Sequence, residues 1–206
     1  MCVKNFIVFE GIDGSGTSTQ IKILKEKLGK KLFATAEPTT LPTGIFLREL
    51  LSGKFHVDEK TASFLFAADR CEHVFGKGGI LENIQNGKIV ASDRYIFSTL
   101  AYQSVSCGKE IPYLLNSVFP LPEFLFYFKI PSEVSLSRVA KRNGFREIYE
   151  EQNLQKKIEA EYDAVIESFR ENKDGMKIIE IDANQTILEV EKKIWNVIKN
   201  LPMINS

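Results

Sequence analysis

Apolar and polar positions along the chain alternate between two periods. Residues 5–10 (NFIVFE) form a short apolar run that ends in a glycine-rich stretch, the pattern of a buried parallel strand. Ile21, Leu24 and Leu28 follow at helical spacing. Further strands are predicted at 31–36, 88–92 (KIVAS), 124–130 (FLFYFKI, closed by Pro131) and 177–181 (KIIEI). Residues 58–75 read as a long helix with Asp58 as its cap. Leu154, Ile158, Tyr162, Val165 and Phe169 mark another helix, and Ile187, Val190, Ile194, Val197 and Leu201 mark the last. Strands alternating with helices imply parallel pairing through right-handed crossovers. The expected fold is an α/β three-layer α/β/α sandwich around a five-stranded parallel sheet, with residues 1–206 as a single domain. In such sheets ligands sit beyond the carboxyl ends of the strands, so the residues just after each strand are the ones to inspect.

Directly after the first strand stands Gly11-Ile12-Asp13-Gly14-Ser15-Gly16-Thr17-Ser18-Thr19. It fits G-x-x-x-x-G-K-[ST] at every defined position but one, with Thr17 where the lysine belongs. The glycines allow the backbone to curl so that its N–H groups converge. A helix starting near Ser18 adds its positive end, and together they can cradle a polyphosphate. Ser18 is placed to ligate Mg²⁺ through its hydroxyl. A cation on a transferring phosphoryl group is worth roughly 10³–10⁵ in rate when supplied as an arginine finger. Either another cation replaces the lysine, or turnover is slow or lost.

Composition narrows the field. Lysine plus arginine and aspartate plus glutamate number 27 each, so the formal net charge is zero, which argues against a duplex nucleic-acid binder but not against a small anionic substrate. No run approaches the ~20 apolar residues of a membrane span, and the N-terminal run leads into the glycine loop rather than a cleavage site. Cys2, Cys71 and Cys107 fit neither a disulfide framework nor a zinc site, and as free thiols they suit a reducing, cytoplasmic compartment. The two histidines, His56 and His73, are too few for a histidine metal cluster.

Several motifs resemble the thymidylate kinase family in order along the chain: FEGIDGSGTSTQ at 9–20, AEP at 36–38, LREL at 47–50, FLFAADRCEHV at 64–74, SDRY at 92–95, STLAYQ at 98–103 and EIDAN at 180–184. The resemblance implies transfer of the ATP γ-phosphoryl group to dTMP, giving dTDP and ADP, with Mg²⁺, in a homodimer. It also implies roles. Gly11 to Thr19 would hold ATP, and Ser18 and Asp93 the metal. Asp13, Glu37, Pro38, Arg48, Phe66, Arg70, Arg94, Thr99, Tyr102 and Gln103 would hold dTMP. Asp13 and Arg94 would be catalytic.

Physical readings run beside these roles. Phe66 and Arg70 are four apart and share a helix face, so a ring can stack on a base and a guanidinium can donate to its carbonyls. The alternative makes Phe66 core and pairs Arg70 at the surface with Asp69 or Glu72. Core packing is the alternative for Tyr102, and a solvated helix charge the alternative for Arg48. The family often has an arginine before Glu37 and glycines after Pro38, whereas this chain has Ala36 and Thr39-Thr40.

The basic segment 138–149 (RVAKRNGFREIY) lies between two helices where the family has a mobile lid, taken here as 138–150, and Arg142 or Arg146 would supply the cation missing at Thr17. The acceptor's second phosphate pKa is about 6, so its oxygen is mostly anionic at neutral pH and no general base is required. Competing readings are a deoxynucleoside kinase, with Glu37 as base, and a nucleotide-binding protein that has lost turnover.

Overall fold

The computed structural model describes residues 2–141, 152–170 and 175–205. The sheet contains β1 (Cys2–Glu10), β2 (Leu32–Ala36), β3 (Ile89–Asp93), β4 (Leu121–Lys129) and β5 (Lys177–Asp182). Their order is β2-β3-β1-β4-β5, and every pairing is parallel. The helices are α1 (Thr17–Leu28), α2 (Pro42–Leu51), α3 (Glu59–Phe75), α4 (Ile80–Gln85), α5 (Ile96–Cys107), α6 (Glu110–Asn116), α7 (Ser132–Ala140), α8 (Gln152–Arg170), α9 (Ile187–Ile198) and α10 (Pro202–Asn205). This is the P-loop α/β/α architecture, with the central strands buried on both faces. Phe6, Ile7, Val8 and Phe9 of β1 and Leu125 and Phe126 of β4 are fully enclosed. Asp58 caps α3 by accepting the Lys60 N–H at 2.9 Å.

The fourth strand begins three residues before its predicted start. Pro122 and Glu123 look like turn residues, but here the Glu123 carboxylate accepts the Asn5 N–H at 2.8 Å where the β1–β4 register shifts. The side chain takes over a ladder bond, so pairing extends past the proline. Strand β3 likewise runs one residue further, through Asp93, because Asp93 pairs with Phe9. That register matters for the site. The loop after β1 and the Asp93-Arg94 turn leave the sheet side by side, joined by the Arg94 N–H to the Phe9 carbonyl at 2.9 Å. The second strand is tied to the same edge, since the Glu37 N–H donates to the Asp93 carbonyl at 2.9 Å.

Candidate active site

The phosphate loop is shaped by packing on two sides. A Cβ at Gly11 would come 2.7 Å from the Phe128 carbonyl oxygen, so only glycine lets the loop lie this close to β4. Gly14 has φ +79°, and a Cβ there would come 2.8 Å from the Ser135 carbonyl of α7. Helix α7 also pins the loop through side chains. Ser135 Oγ donates to the Asp13 carbonyl, and Arg138 bridges the Gly14 carbonyl at 3.5 Å and the Ala183 carbonyl at 3.0 Å. Helix α1 starts at Thr17 with no side-chain cap and no acidic residue in its first turn. Its positive end faces a small cavity of about 100 Å³. That cradle is lined by Ile12, Asp13, Gly14, Gly16, Thr17, Ser18, Asp93 and Arg94. Gly11, Ser15 and Thr19 do not line it. Ser15 closes the turn, its N–H donating to the Ile12 carbonyl at 3.1 Å.

Beside the cradle opens a larger cavity of about 590 Å³, a volume suited to a nucleotide-sized ligand. Asp13, Glu37, Pro38, Arg48, Phe66, Arg70, Arg94, Thr99, Tyr102 and Gln103 all line it, together with Ser18 and Asp93. Residues from five separate chain segments thus converge at one sheet edge. Arg94, Asp13, Ser18 and Asp93 face both cavities, which makes them the junction between two ligand positions.

The charges at this junction are interlocked. Arg94 Nη2 donates to Asp13 Oδ1, and the Tyr102 hydroxyl donates to Asp13 Oδ2 at 3.0 Å. The Arg94 guanidinium also lies 5.3 Å from the Tyr102 ring centre. Burial works against its charge, but Tyr102, Asp13, Tyr162 and Glu10 outweigh it and lift its pKa well above the ordinary value. Burial pushes the Tyr102 hydroxyl up as well, aided by Asp13, so it stays a donor. Tyr102 is thus neither plain core nor plain surface: its ring is packed and its hydroxyl is committed to the loop carboxylate.

Asp93 and Ser18 stand together at the edge of the cradle. Ser18 Oγ donates to Asp93 Oδ2, while Asp93 Oδ1 is buried and has no hydrogen-bond partner. A buried orphan carboxylate oxygen is costly unless a cation or its water shell satisfies it. Among the described residues no cluster of three or more His, Cys, Asp or Glu side chains could hold a metal alone. Mg²⁺ needs none, because it keeps several waters and takes the rest of its shell from one or two carboxylates and substrate phosphates.

Arg70 is not a surface charge. Its side chain is 1% exposed, and its partner is neither Asp69 nor Glu72 but Glu37 on the second strand's loop. Nε and Nη2 donate to Glu37 Oε2 at 2.9 and 2.6 Å, and Nη2 also reaches the Tyr95 carbonyl at 3.0 Å and Thr99 Oγ1 at 2.9 Å. Nη1 donates to Asn116 Oδ1. The other Glu37 oxygen pairs with His73 Nδ1 at 2.9 Å, and His73 Nε2 pairs with Thr35 Oγ1 at 2.7 Å. Asp69 serves a different purpose. It accepts the Thr39 N–H at 2.8 Å and the Thr39 and Thr43 hydroxyls at 2.6 and 2.7 Å. Thr39 therefore anchors the loop after Pro38 through a side chain. Arg48 lies against this loop, donating to the Pro38 carbonyl and, at 3.4 Å, to the Thr39 carbonyl. Phe66 is half-buried on α3, one turn before Arg70, and presents its ring to the cavity.

Sequence reasoning missed Asn116, Tyr162 and Glu10, which support this site from behind. Glu10 carried a faint signal as the only charged residue of an otherwise apolar run. Residues 138–141 of the proposed lid belong to α7 and its C-terminal end, while Arg142 and Arg146 lie outside the described residues.

A parallel sheet whose first strand feeds a glycine cradle, with a nucleotide-sized cavity sharing Asp13 and Arg94 with that cradle, defines a P-loop kinase that brings two phosphate-bearing ligands together. The model of the thymidylate kinase family matches residues 9–194. A thymidylate kinase relative in Treponema pallidum (strain Nichols) is 42% identical over 194 residues, covering 93% of each chain. Another in Methanocaldococcus jannaschii is 36% identical over 200 residues, covering 96% of this chain and 97% of its own. The solved thymidylate kinase of Candida albicans superposes with a TM-score of 0.73 at 26% identity, over 97% of this chain and 92% of that one. The chain belongs to the thymidylate kinase family, and its reaction is phosphoryl transfer to dTMP.

Proposed function

We propose that the larger cavity holds dTMP, that the cradle holds the phosphates of ATP, and that Arg94 spans the two. The observation that carries this reading is the shared lining: Arg94 borders both cavities and is the one cation that does so among the described residues. Two negatively charged phosphates must approach in line, so catalysis here is alignment and charge neutralisation. The loop amides and the α1 terminus receive the donor phosphates. Ser18 and Asp93 would hold Mg²⁺, which supplies charge neutralisation at the donor phosphates when bound. Arg48 and Arg94 line the acceptor's phosphate end, while Phe66 offers a stacking face and Arg70 a donor edge fixed by Glu37.

Thr17 contributes a hydroxyl and no charge, so the remaining positive charge is assigned to Arg94 and to Arg142 or Arg146 of the segment at 138–150. Glu37 makes a poor general base for a nucleoside hydroxyl, since both its oxygens are already committed to Arg70 and His73. This favours a monophosphate acceptor over thymidine.

A homodimer fits the surface of α3. Phe64, Ala68, Cys71 and Phe75 are exposed at spacings of four, three and four, an apolar seam on the face opposite Arg70. Helices α2 and α6 both pack against α3 and carry exposed Ile45, Phe46 and Leu114. No helix among the described residues is long and apolar enough to cross a membrane.

The reading is tested by incubating the protein with ATP, Mg²⁺ and either dTMP or thymidine. Formation of dTDP and ADP with dTMP supports it. Phosphorylation of thymidine but not dTMP would overturn it.

A further inference from the structure

Glu10, the last residue of β1, is fully buried directly behind the reacting centre and has no part in the mechanism above. Its Oε1 accepts the backbone N–H groups of Tyr95 at 2.7 Å and Ser98 at 3.1 Å, capping α5 from another element. Its Oε2 accepts the Tyr162 hydroxyl of α8 at 2.9 Å. That hydroxyl in turn accepts from Arg94 Nη1 at 3.3 Å, and Arg94 Nη2 continues to Asp13. Arg94 has φ +71°, in the left-handed region where a non-glycine residue needs support from its surroundings.

We propose that Glu10 is a positioning residue for Arg94: one carboxylate oxygen fixes the backbone just after Arg94, and the other orients its guanidinium through the Tyr162 hydroxyl. The inference rests on the reading that Arg94 spans both phosphates. The direction of the chain requires an acceptor at Glu10. Tyr162 can accept from Arg94 and donate onward only if Glu10 offers a lone pair. An amide at this position keeps an oxygen for the α5 N–H groups but turns its NH₂ toward Tyr162, so the Tyr162 O–H loses its acceptor and faces a second donor beside Arg94. The groups facing Glu10 are Arg94, the Tyr95 and Ser98 amides and Tyr162, with Asp13 and Tyr102 behind Arg94. Burial raises its pKa to about 7 against the opposing pull of Arg94, Tyr162 and those amides, so assays at pH 8.5 keep it ionised.

The test is a double-mutant cycle at pH 8.5 with saturating ATP and Mg²⁺, measuring kcat and the KM for dTMP of wild type, Glu10→Gln, Arg94→Lys and the double variant. Glu10→Gln is expected to lower kcat about tenfold, the worth of one charge-assisted hydrogen bond, with less than a twofold change in KM. In the Arg94→Lys background the same change is expected to cost less than twofold. Tyr162→Phe leaves the α5 cap untouched, is expected to reproduce the kcat loss, and carries the test if Glu10→Gln does not fold. An active wild type in which the two losses multiply, or in which the loss falls on KM, overturns this inference alone. A wild type that turns over no monophosphate overturns both the inference and the reading it rests on.

Discussion

Replacing Glu37 by leucine separates what its ion pair does for stability from what it does for base recognition. Arg70 is 1% exposed and the Glu37 side chain 4% exposed, so the substitution leaves a guanidinium in the interior without its countercharge. Removing one member of a buried pair costs roughly 3–5 kcal/mol. Arg70 keeps Asn116, Thr99 and the Tyr95 carbonyl as acceptors, and the faces of Tyr95 and Phe119 lie 5.4 and 5.6 Å from its Cζ. The loss should therefore fall near the lower end, about 3 kcal/mol. At roughly 2–4 °C per kcal/mol for a chain of this size, Tm drops by about 6–12 °C. Urea unfolding followed by circular dichroism measures the free-energy loss, and a thermal melt the drop in Tm. Replacing both members, Glu37→Leu with Arg70→Met, removes the stranded charge but leaves His73 Nδ1 and Asn116 Oδ1 without these partners, so stability should recover only in part. On the proposed reading, in which Arg70 donates to the base, activity should not return and the dTMP KM should rise at least tenfold. A Glu37→Leu protein less than about 1 kcal/mol below wild type, or a double variant less stable than that single one, would refute the view of Arg70 as a buried reader held by its counter-ion.

Three further outcomes are expected. Because burial raises Glu10 to about 7 from an ordinary 4.5, the folded state holds its proton over a range where the unfolded state has lost it. Its contribution to stability is therefore full below pH 4.5 and lost as pH rises through 7. Wild type should lose about 2–3 kcal/mol relative to Glu10→Gln between pH 5 and 8 in paired urea titrations, and parallel curves would count against this. Arg142→Ala or Arg146→Ala should lower kcat more than it raises the dTMP KM in steady-state assays, and if neither does, the segment at 138–150 does not replace the absent lysine. Phe64→Glu places a charge in the apolar seam of α3 and should shift the proposed homodimer to monomer in sedimentation, while an unchanged sedimentation coefficient would count against α3 as its contact surface.

Much of this was legible in the chain because its signals are local. The glycine loop, the strand before it and the Asp93-Arg94-Tyr95 turn each declare themselves within a dozen residues, and the parallel topology that brings them together follows from alternating strands and helices. What escaped depends on contacts between distant segments. The partner of Arg70 stands 33 residues upstream, and no spacing rule prefers Glu37 over the adjacent Asp69. Asp69 was unavailable because it is spent on Thr39 and Thr43. Glu10 reads as the polar end of a strand until α5 and α8 close over it. The start of β4 was hidden for the same reason, since Pro122 and Glu123 look like a turn until Glu123 meets the Asn5 amide.

The most direct test concerns the charge missing from position 17. Steady-state turnover of ATP with dTMP and Mg²⁺ should be compared among wild type, Thr17→Lys and Arg94→Ala, with dTDP identified as product. If backbone amides, a divalent ion and arginines already neutralise the two phosphates, wild type forms dTDP at saturating rates, Thr17→Lys changes kcat by less than about tenfold, and Arg94→Ala loses about 10³-fold. Saturable dTMP binding without dTDP in wild type, with turnover appearing only when lysine is restored, would contradict the account.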